Sequence, residues 1–483
     1  MQKKFLSSLG LLLLLNLIVK PLYILGIDAE VQNRVGQESY GLYFGLLNLS
    51  FIFNILIDLG INNFNNRNIA QNTGLIKKHF SKLFSAKAIL AIFYALFTLT
   101  LGFALGYFEN PQELEILVFL VFNQVVVSFI LFCRSNLSGL HMFKSDSVIS
   151  VLDRTLLIIL CSILLFTNLA GNEFKIEWFV YLQSIAYCLT LIVSLIMLRS
   201  KIGDLRWNLD MKFNKSIFKK SLPFALFILS AALYNRVDGV MLENMLDDGS
   251  ETAGAYAQGF RFYEAAGMFS FLFGTLLLPI YSRMLKQNQR IEEVLRLSSN
   301  LLLSISILAA ILCFFFGDEI LNWRYVEVSQ DAEMAFSALM FAFIGMSMFY
   351  IYGTLLTANA NLKILNIISF TGLAINLIAN FALIPHYGAL GAAIATMITQ
   401  LFAGLAQFIV VKHKFSIDVN LATLIRIGLF VALYSTVNYY LDKTDFYGIN
   451  LALLSGVAGL VLLFMTGSIK IKQISKILRL KDE

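Results

Sequence analysis

Charge, proline, histidine and cysteine are all scarce in this 483-residue chain, and each shortage excludes something. Only 14% of residues are charged and 58% are hydrophobic, with a mean hydropathy of +0.74. A soluble protein is nearer a quarter charged, so a soluble fold is excluded. Five prolines and thirty glycines exclude a collagenous or low-complexity chain. The four cysteines, Cys133, Cys161, Cys188 and Cys313, lie in apolar runs without paired spacing. They read as small hydrophobes, not as disulfides or metal ligands. His79, His141, His386 and His413 are scattered and lack ligand spacing. There is no P-loop, no Gly-rich dinucleotide motif and no nucleophile–base set on a long loop. ATP hydrolysis, enzymatic chemistry, a cofactor and nucleic-acid binding are therefore not expected.

What is present is apolar sequence of spanning length, repeated along the whole chain. Fourteen spans of about 20 residues would use roughly 280 residues and leave only short connections. The runs lie within 5–27, 40–62, 84–107, 114–136, 147–169, 177–198, 218–241, 254–280, 298–316, 333–358, 364–385, 388–411, 420–441 and 446–467. The first follows Lys3 and Lys4 as a signal peptide would, but its length and the spans after it make it a retained helix. An even count puts both termini on one side, and the basic residues agree. Thirty of the 37 Lys and Arg fall on the terminal side, among them Arg67, Lys77, Lys78, Lys82 and Lys87 between spans two and three. Only Arg34, Lys175, Arg324 and Lys443 fall opposite. By the positive-inside rule the terminal side is cytoplasmic.

The chain also repeats itself. Ser39-Tyr-Gly-Leu-Tyr43 opens span two, and Ala253-Gly-Ala-Tyr256 opens span eight, 213 residues later. Gly139-Leu-His-Met-Phe-Lys144 closes span four, and Ala358-Asn-Ala-Asn-Leu-Lys363 closes span ten at an offset of 219. Two matches at nearly equal offset predict a parallel repeat of six helices. The expected fold is an all-α integral membrane protein with fourteen transmembrane helices. A first lobe (1–200) and a second lobe (216–413) flank a basic linker (201–215), and 414–483 hold two further helices and a basic tail. The linker serves as an orientation anchor.

Ionised residues inside spans cost about 2.5–3.5 kcal/mol each on insertion scales, which makes them the candidate functional groups. They are Lys20, Asp58, Arg236, Asp238, Arg261 and Glu264. Counted from Ser221, Arg236 sits roughly 22 Å along span seven, near the outer interface, where it and Asp238 could snorkel to water. Two residues apart, they point in different directions and need partners elsewhere. Lys20 lies at a similar height, just before Pro21, which should kink span one. Arg261 and Glu264 share one face of span eight, with Glu264 near mid-membrane. Either they form a packing ion pair, or they line a hydrated passage where Arg261 meets an anion and Glu264 balances it. The second reading is favoured because an apolar pair would pack as well. Asp58, before Leu59-Gly60, reads first as a helix end.

Three segments resemble the polysaccharide-biosynthesis flippases of the Wzx type, within the multidrug/oligosaccharidyl-lipid/polysaccharide exporter superfamily. They are Arg34 to Tyr43 with Asp58-Leu-Gly60, then Asp238 with Ala253-Gly-Ala-Tyr-Ala257 and Phe260-Arg261, and Leu383 to Thr396. The resemblance implies a V-shaped pair of six-helix bundles working by alternating access, without a cofactor. It also implies a lipid-linked oligosaccharide as substrate, carried on undecaprenyl pyrophosphate from the cytoplasmic to the periplasmic leaflet. The expected partners are that substrate, membrane lipids and other glycan-assembly membrane proteins, with the chain acting as a monomer in the inner membrane. Arg261, Arg236 and Lys20 would form a cationic site, with Glu264, Asp238 and Asp58 as counter-charges or coupling groups. A cation-coupled efflux antiporter is the nearest alternative. A glycan polymerase is disfavoured by short outer connections.

Overall fold

Hydrocarbon supplies no hydrogen bonds, so a spanning segment has to pair its own backbone, and a helix does this within one stretch of chain. The computed structural model describes residues 14–167, 174–202, 207–208, 210–417, 421–444 and 448–468, and all their regular structure is helical. Lys3 and Lys4, the tail from Lys470 to Lys481 and part of the basic linker lie outside the described residues. Among the described residues, eleven helices are long and apolar enough to cross a membrane. Two of them, 14–58 and 362–414, each hold two expected spans, and the shorter Ile449–Met465 holds the last. The fourteen spans are thus accommodated. The described cysteines are all free.

The chain groups into two compact units, 1–254 and 255–483. The first begins with a helix from Leu14 that widens after Pro21 into a π-helical turn, Leu22–Asp28. Proline removes one backbone donor, and a π-turn is a local way to absorb the mismatch. Helix α1 (Ala29–Ile52) follows, broken at Gly36 (φ 83°, ψ 170°). Span two then ends in pieces: a short helix Ile55–Asp58, left-handed Leu59 and Gly60, and helix α2 (Ile61–Gln71). Helices α3 (Leu75–Ala104), α4 (Pro111–Gly139), α5 (Phe143–Phe166), α6 (Ile176–Leu198) and α7 (Met211–Met245) complete the unit. Contacts place α7 against α1, whereas the boundaries read from the sequence at 200 and 216 follow the repeat. Side-chain amides tie the helices together. Asn54 Nδ2 donates to Gln124 Oε1 at 2.6 Å, and Gln183 Nε2 donates to Tyr43 Oη at 2.7 Å. Within a membrane each such bond stabilises by about 0.6 kcal/mol.

Helix α8 (Gly249–Lys286) passes from the first unit into the second. It is followed by α9 (Glu292–Phe315), α10 (Gln330–Met348) with a π-turn Phe349–Gly353, and α11 (Leu362–Lys414). The turn between spans eleven and twelve is the segment Leu383 to Thr396. Gly388 has φ 48° and ψ −125°, and a Cβ on Gly391 would lie 2.5 Å from the Leu383 carbonyl oxygen. Both glycines are therefore required by this turn. Helices α12 (Leu421–Leu441) and α13 (Ile449–Met465) form the appended pair, joined by Tyr434 Oη and Ser455 Oγ at 2.9 Å. Phe430, Tyr434 and Leu463 pack them onto Leu308 and Ile311 of α9.

One of the recurring motifs closes its helix in the same way in both copies, as the same three backbone bonds also do at the ends of α3 and α8. After α4, the amides of Leu140, His141 and Met142 donate to the carbonyls of Asn136, Ser138 and Leu137. After Ala358, the amides of Asn359, Ala360 and Asn361 donate to Leu355, Thr357 and Leu356. These are the same three bonds, shifted by 219 positions. His141 (φ 60°) and Ala360 (φ 56°) both take the left-handed conformation that closes a Schellman-type cap. The other repeated motif has a different cause. A Cβ on Gly41 would lie 1.7 Å from the Ser250 carbonyl oxygen, and one on Gly254 would lie 2.1 Å from that of Gln37. The two motif glycines thus mark one crossing, where α1 and the start of α8 touch backbone to backbone.

Gly41→Ala is expected to force these helices apart. Overpacking typically costs about 1–3 kcal/mol, and a backbone oxygen this close leaves no room for relief. Melting of the detergent-solubilised variant should show a lowered midpoint. An unchanged midpoint would contradict the crossing.

Candidate functional site

Where each ionised side chain sits decides which of them could meet a ligand. Arg261 lies on α8 and is 5% exposed. Its Nη1 is 3.0 Å from Glu264 Oε2, and the Glu264 side chain keeps 24% of its surface accessible. The ion pair expected from the three-residue spacing is therefore formed. It rests on a fixed stretch of helix: Gln258 Nε2 donates to the Glu327 carbonyl at 2.7 Å, and Gly259 packs against the Phe336 backbone. The ring of Tyr256 stacks on Phe260 and that of Tyr263 tilts against it along the same turns, with centroids 5.6 and 5.7 Å apart. An almost buried guanidinium beside a partly open carboxylate is suited to holding an anion without a bare positive charge in hydrocarbon.

In the first unit, Arg236 on α7 reaches α1. Its Nη1 donates to Asn48 Oδ1 at 3.3 Å, and its guanidinium lies 4.7 Å from the Phe51 ring centre. That cation–π contact is a usual way to hold an arginine against an apolar face. Asp238 is 1% exposed, so its expected escape to water is corrected: Gly239 beside it packs on Phe44 and Asn48, and α7 is pressed onto α1 there. Lys20 is half-buried in the first span, one residue before Pro21. Arg236 and Lys20 thus belong to the first unit, and Arg261 and Glu264 to the second.

Asp58 does more than end a helix. Its carboxylate accepts the backbone N–H groups of Gly60 and Asn62, both at 3.2 Å, and so caps α2. It also receives Lys87 Nζ at 2.9 Å, and the same ammonium donates to Ser128 Oγ at 2.9 Å. The Lys87 side chain is 0% exposed. Counting Lys87 with the cytoplasmic connection between spans two and three was therefore wrong. It lies on the thirteenth residue of α3, whose helix starts at Leu75 instead of near 84, well inside the packed unit.

Three further polar groups escaped the sequence reading. Asp28 is 1% exposed and accepts from Tyr40 Oη at 2.6 Å. Arg154 donates to Tyr187 Oη at 2.9 Å and lies 4.6 Å from the Tyr23 ring centre. Glu243 accepts from Tyr107 Oη, which itself accepts from Asn244 Nδ2 at 2.6 Å. Asp28 and Glu243 lie one and two residues beyond the expected ends of their spans, so a wider window would have included them. Among the described residues no cluster of His, Cys, Asp and Glu could hold a metal ion.

This arrangement of helices recurs in solved transporters. The lipid II flippase MurJ, in an inward closed conformation, superposes with a TM-score of 0.69 over 92% of this chain and 96% of that one, at 17% identity. A mutant of the MATE transporter VcmN from Vibrio cholerae gives 0.57 over 86% and 97%, also at 17% identity. At such identity the likeness concerns the fold alone. The sequence goes further, because residues 5–285 match the family described as Polysaccharide biosynthesis protein, and the chain belongs to that family. The uncharacterized membrane protein MJ1375 of Methanocaldococcus jannaschii is 24% identical over 377 residues, 76% of this chain and 88% of its own. The capsular polysaccharide biosynthesis protein CapF of Staphylococcus aureus is 24% identical over 213 residues, 44% of this chain and 53% of its own.

Lys87→Ala should destabilise the protein by about 3 kcal/mol, the lower end for a buried pair, since it leaves the half-buried Asp58 carboxylate without its cation. The double variant Asp58→Asn/Lys87→Met should recover part of that loss. A double-mutant cycle on thermal melts measures it, and strictly additive losses would refute the pairing.

Proposed function

We propose that the protein is a flippase. It carries undecaprenyl-pyrophosphate-linked oligosaccharide repeat units, of O-antigen or capsule type, from the cytoplasmic to the periplasmic leaflet of a bacterial inner membrane by alternating access. Membership of the polysaccharide-biosynthesis family supports the glycan, and the capsule relative and the fold shared with a lipid II flippase support the lipid carrier. The excess of Lys and Arg on the terminal side supports cytoplasmic ends.

The physical task fits these residues. A sugar–pyrophosphate head carries charge and many hydroxyls, each costly to bring into hydrocarbon, whereas the polyprenyl tail is at home there. Cationic side chains held inside the spans lower that cost. Arg261, Arg236 and Lys20 attract the pyrophosphate or acidic sugars, with Glu264 and Asp238 as counter-charges. Asp58, engaged by Lys87, balances charge within its own unit. The observation that carries this reading is Arg261, nearly buried in a spanning helix yet paired to a carboxylate that stays partly accessible.

Arg261→Ala should reduce glycan export at least tenfold while the protein still inserts and purifies. Lys443→Ala should export normally, because Lys443 is exposed and its ammonium rests on Tyr439 one turn away. Surface glycan is the readout, together with lipid-linked glycan accumulating on the cytoplasmic face after deletion. Normal surface glycan in the Arg261 variant would overturn the assignment. Drug sensitivity with intact glycan after deletion would point instead to cation-coupled efflux, the reading that the MATE-like fold also allows.

A further inference from the structure

The second unit contains a cavity of about 240 Å³ that none of the residues above uses. It sits where three helix ends meet: the start of α9, the end of α11 and the start of α12. Its rim is charged and formed by Glu292, Arg296 and Lys412. Away from the rim the lining is mostly apolar, with Leu303, Met348, Tyr352, Phe408 and Ile427 far outweighing the small polar surface of Ser299, Asn300 and Thr423. From Glu292 to Leu303 is eleven residues of helix, so the cavity runs roughly 16 Å inward from the rim. Leu405 and Leu424 also line it and are 49% and 53% exposed. On membrane-spanning helices this leaves the side of the cavity open to acyl chains.

These features select a ligand class. An apolar interior rejects sugars and nucleotides, whose hydroxyls and phosphates would be stranded there. A side opening toward lipid admits a molecule that already resides in the bilayer. A rim at one end, with two cations and one carboxylate, has a net charge of plus one, and an arginine fork matches phosphate oxygens geometrically. The volume lies a little below the roughly 300–1,000 Å³ of pockets that enclose drug-sized ligands, which suits one chain and no bulky head.

We infer that this cavity binds one acyl chain of an anionic glycerophospholipid, with the phosphodiester held between Arg296 and Lys412 at the base-rich end of the spans. A single phosphodiester charge balances the rim. A pyrophosphate would exceed it, and a polyprenyl tail is far longer than the cavity is deep. Seated there, the lipid fastens α12, the first helix of the appended pair, onto α9 and α11. The inference does not depend on what the protein transports, because it involves none of Lys20, Arg236, Arg261 or Glu264.

The full-length protein, purified in mild detergent and delipidated, can be titrated with dioleoyl phosphatidylglycerol, dioleoyl phosphatidylcholine or undecaprenyl phosphate and read by native mass spectrometry. The expected result is one tightly held phosphatidylglycerol, favoured at least tenfold over phosphatidylcholine. Arg296→Ala/Lys412→Ala, changed at exposed positions, should abolish that preference, and Leu303→Trp should remove the bound lipid by filling the deep end. Equal binding of the two phospholipids by the unaltered protein, or undiminished preference in the double variant, would overturn the inference. So would displacement of phosphatidylglycerol by equimolar undecaprenyl phosphate, which would assign the cavity to the carrier lipid.

Discussion

A charge carried into hydrocarbon must be answered there, and the first unit shows how much structure one such answer organises. Lys87 has no access to solvent, yet its ammonium meets Asp58 and Ser128 at hydrogen-bonding distance. Asp58 is available because span two stops being a regular helix at Phe53 and restarts at Ile61, exposing amides that the same carboxylate caps. The broken helix and the buried lysine therefore depend on one another. Removing the break would take away the acceptor, and removing the lysine would leave an uncompensated carboxylate. Arg236 over Phe51 and Arg154 among Tyr23 and Tyr187 follow the same rule with aromatic faces.

The two short motifs that recur along the sequence have different physical causes. At the ends of spans four and ten, equivalent carbonyls are satisfied by equivalent backbone bonds, with a left-handed residue in each copy. Glycine is not used at either position, and His141 and Ala360 bear the conformational cost instead. At the other motif, glycine is indispensable, since Gly41 and Gly254 leave no space for a side chain. One repeated motif is therefore a cap and the other a crossing, although both looked alike as short strings of small and aromatic residues.

The helical class, the number of spans and the pairing of Arg261 with Glu264 were legible because they depend on local properties. Apolar length reports a span, and a three-residue spacing reports a shared helix face. The errors came where an apolar run was treated as having sharp edges. Lys87 was counted with a loop although it lies within the third run, and Asp28 and Glu243 were dropped for falling just beyond theirs. Asp238 was expected to reach water from its helix end. Counting rise per residue gives position along a helix, but it ignores the neighbour that presses on Gly239.

The order of residues alone determined that this chain must live in a membrane as helices, since its hydropathy leaves no other way to satisfy the backbone. It also determined that a few charges would have to sit inside those helices. Only the tertiary structure decided which partner answers each charge. Asp58 and Lys87 are 29 residues apart, and Arg236 and Asn48 are separated by 188. Pairings over such distances are set by how helices pack, and local sequence carries no record of which face will meet which.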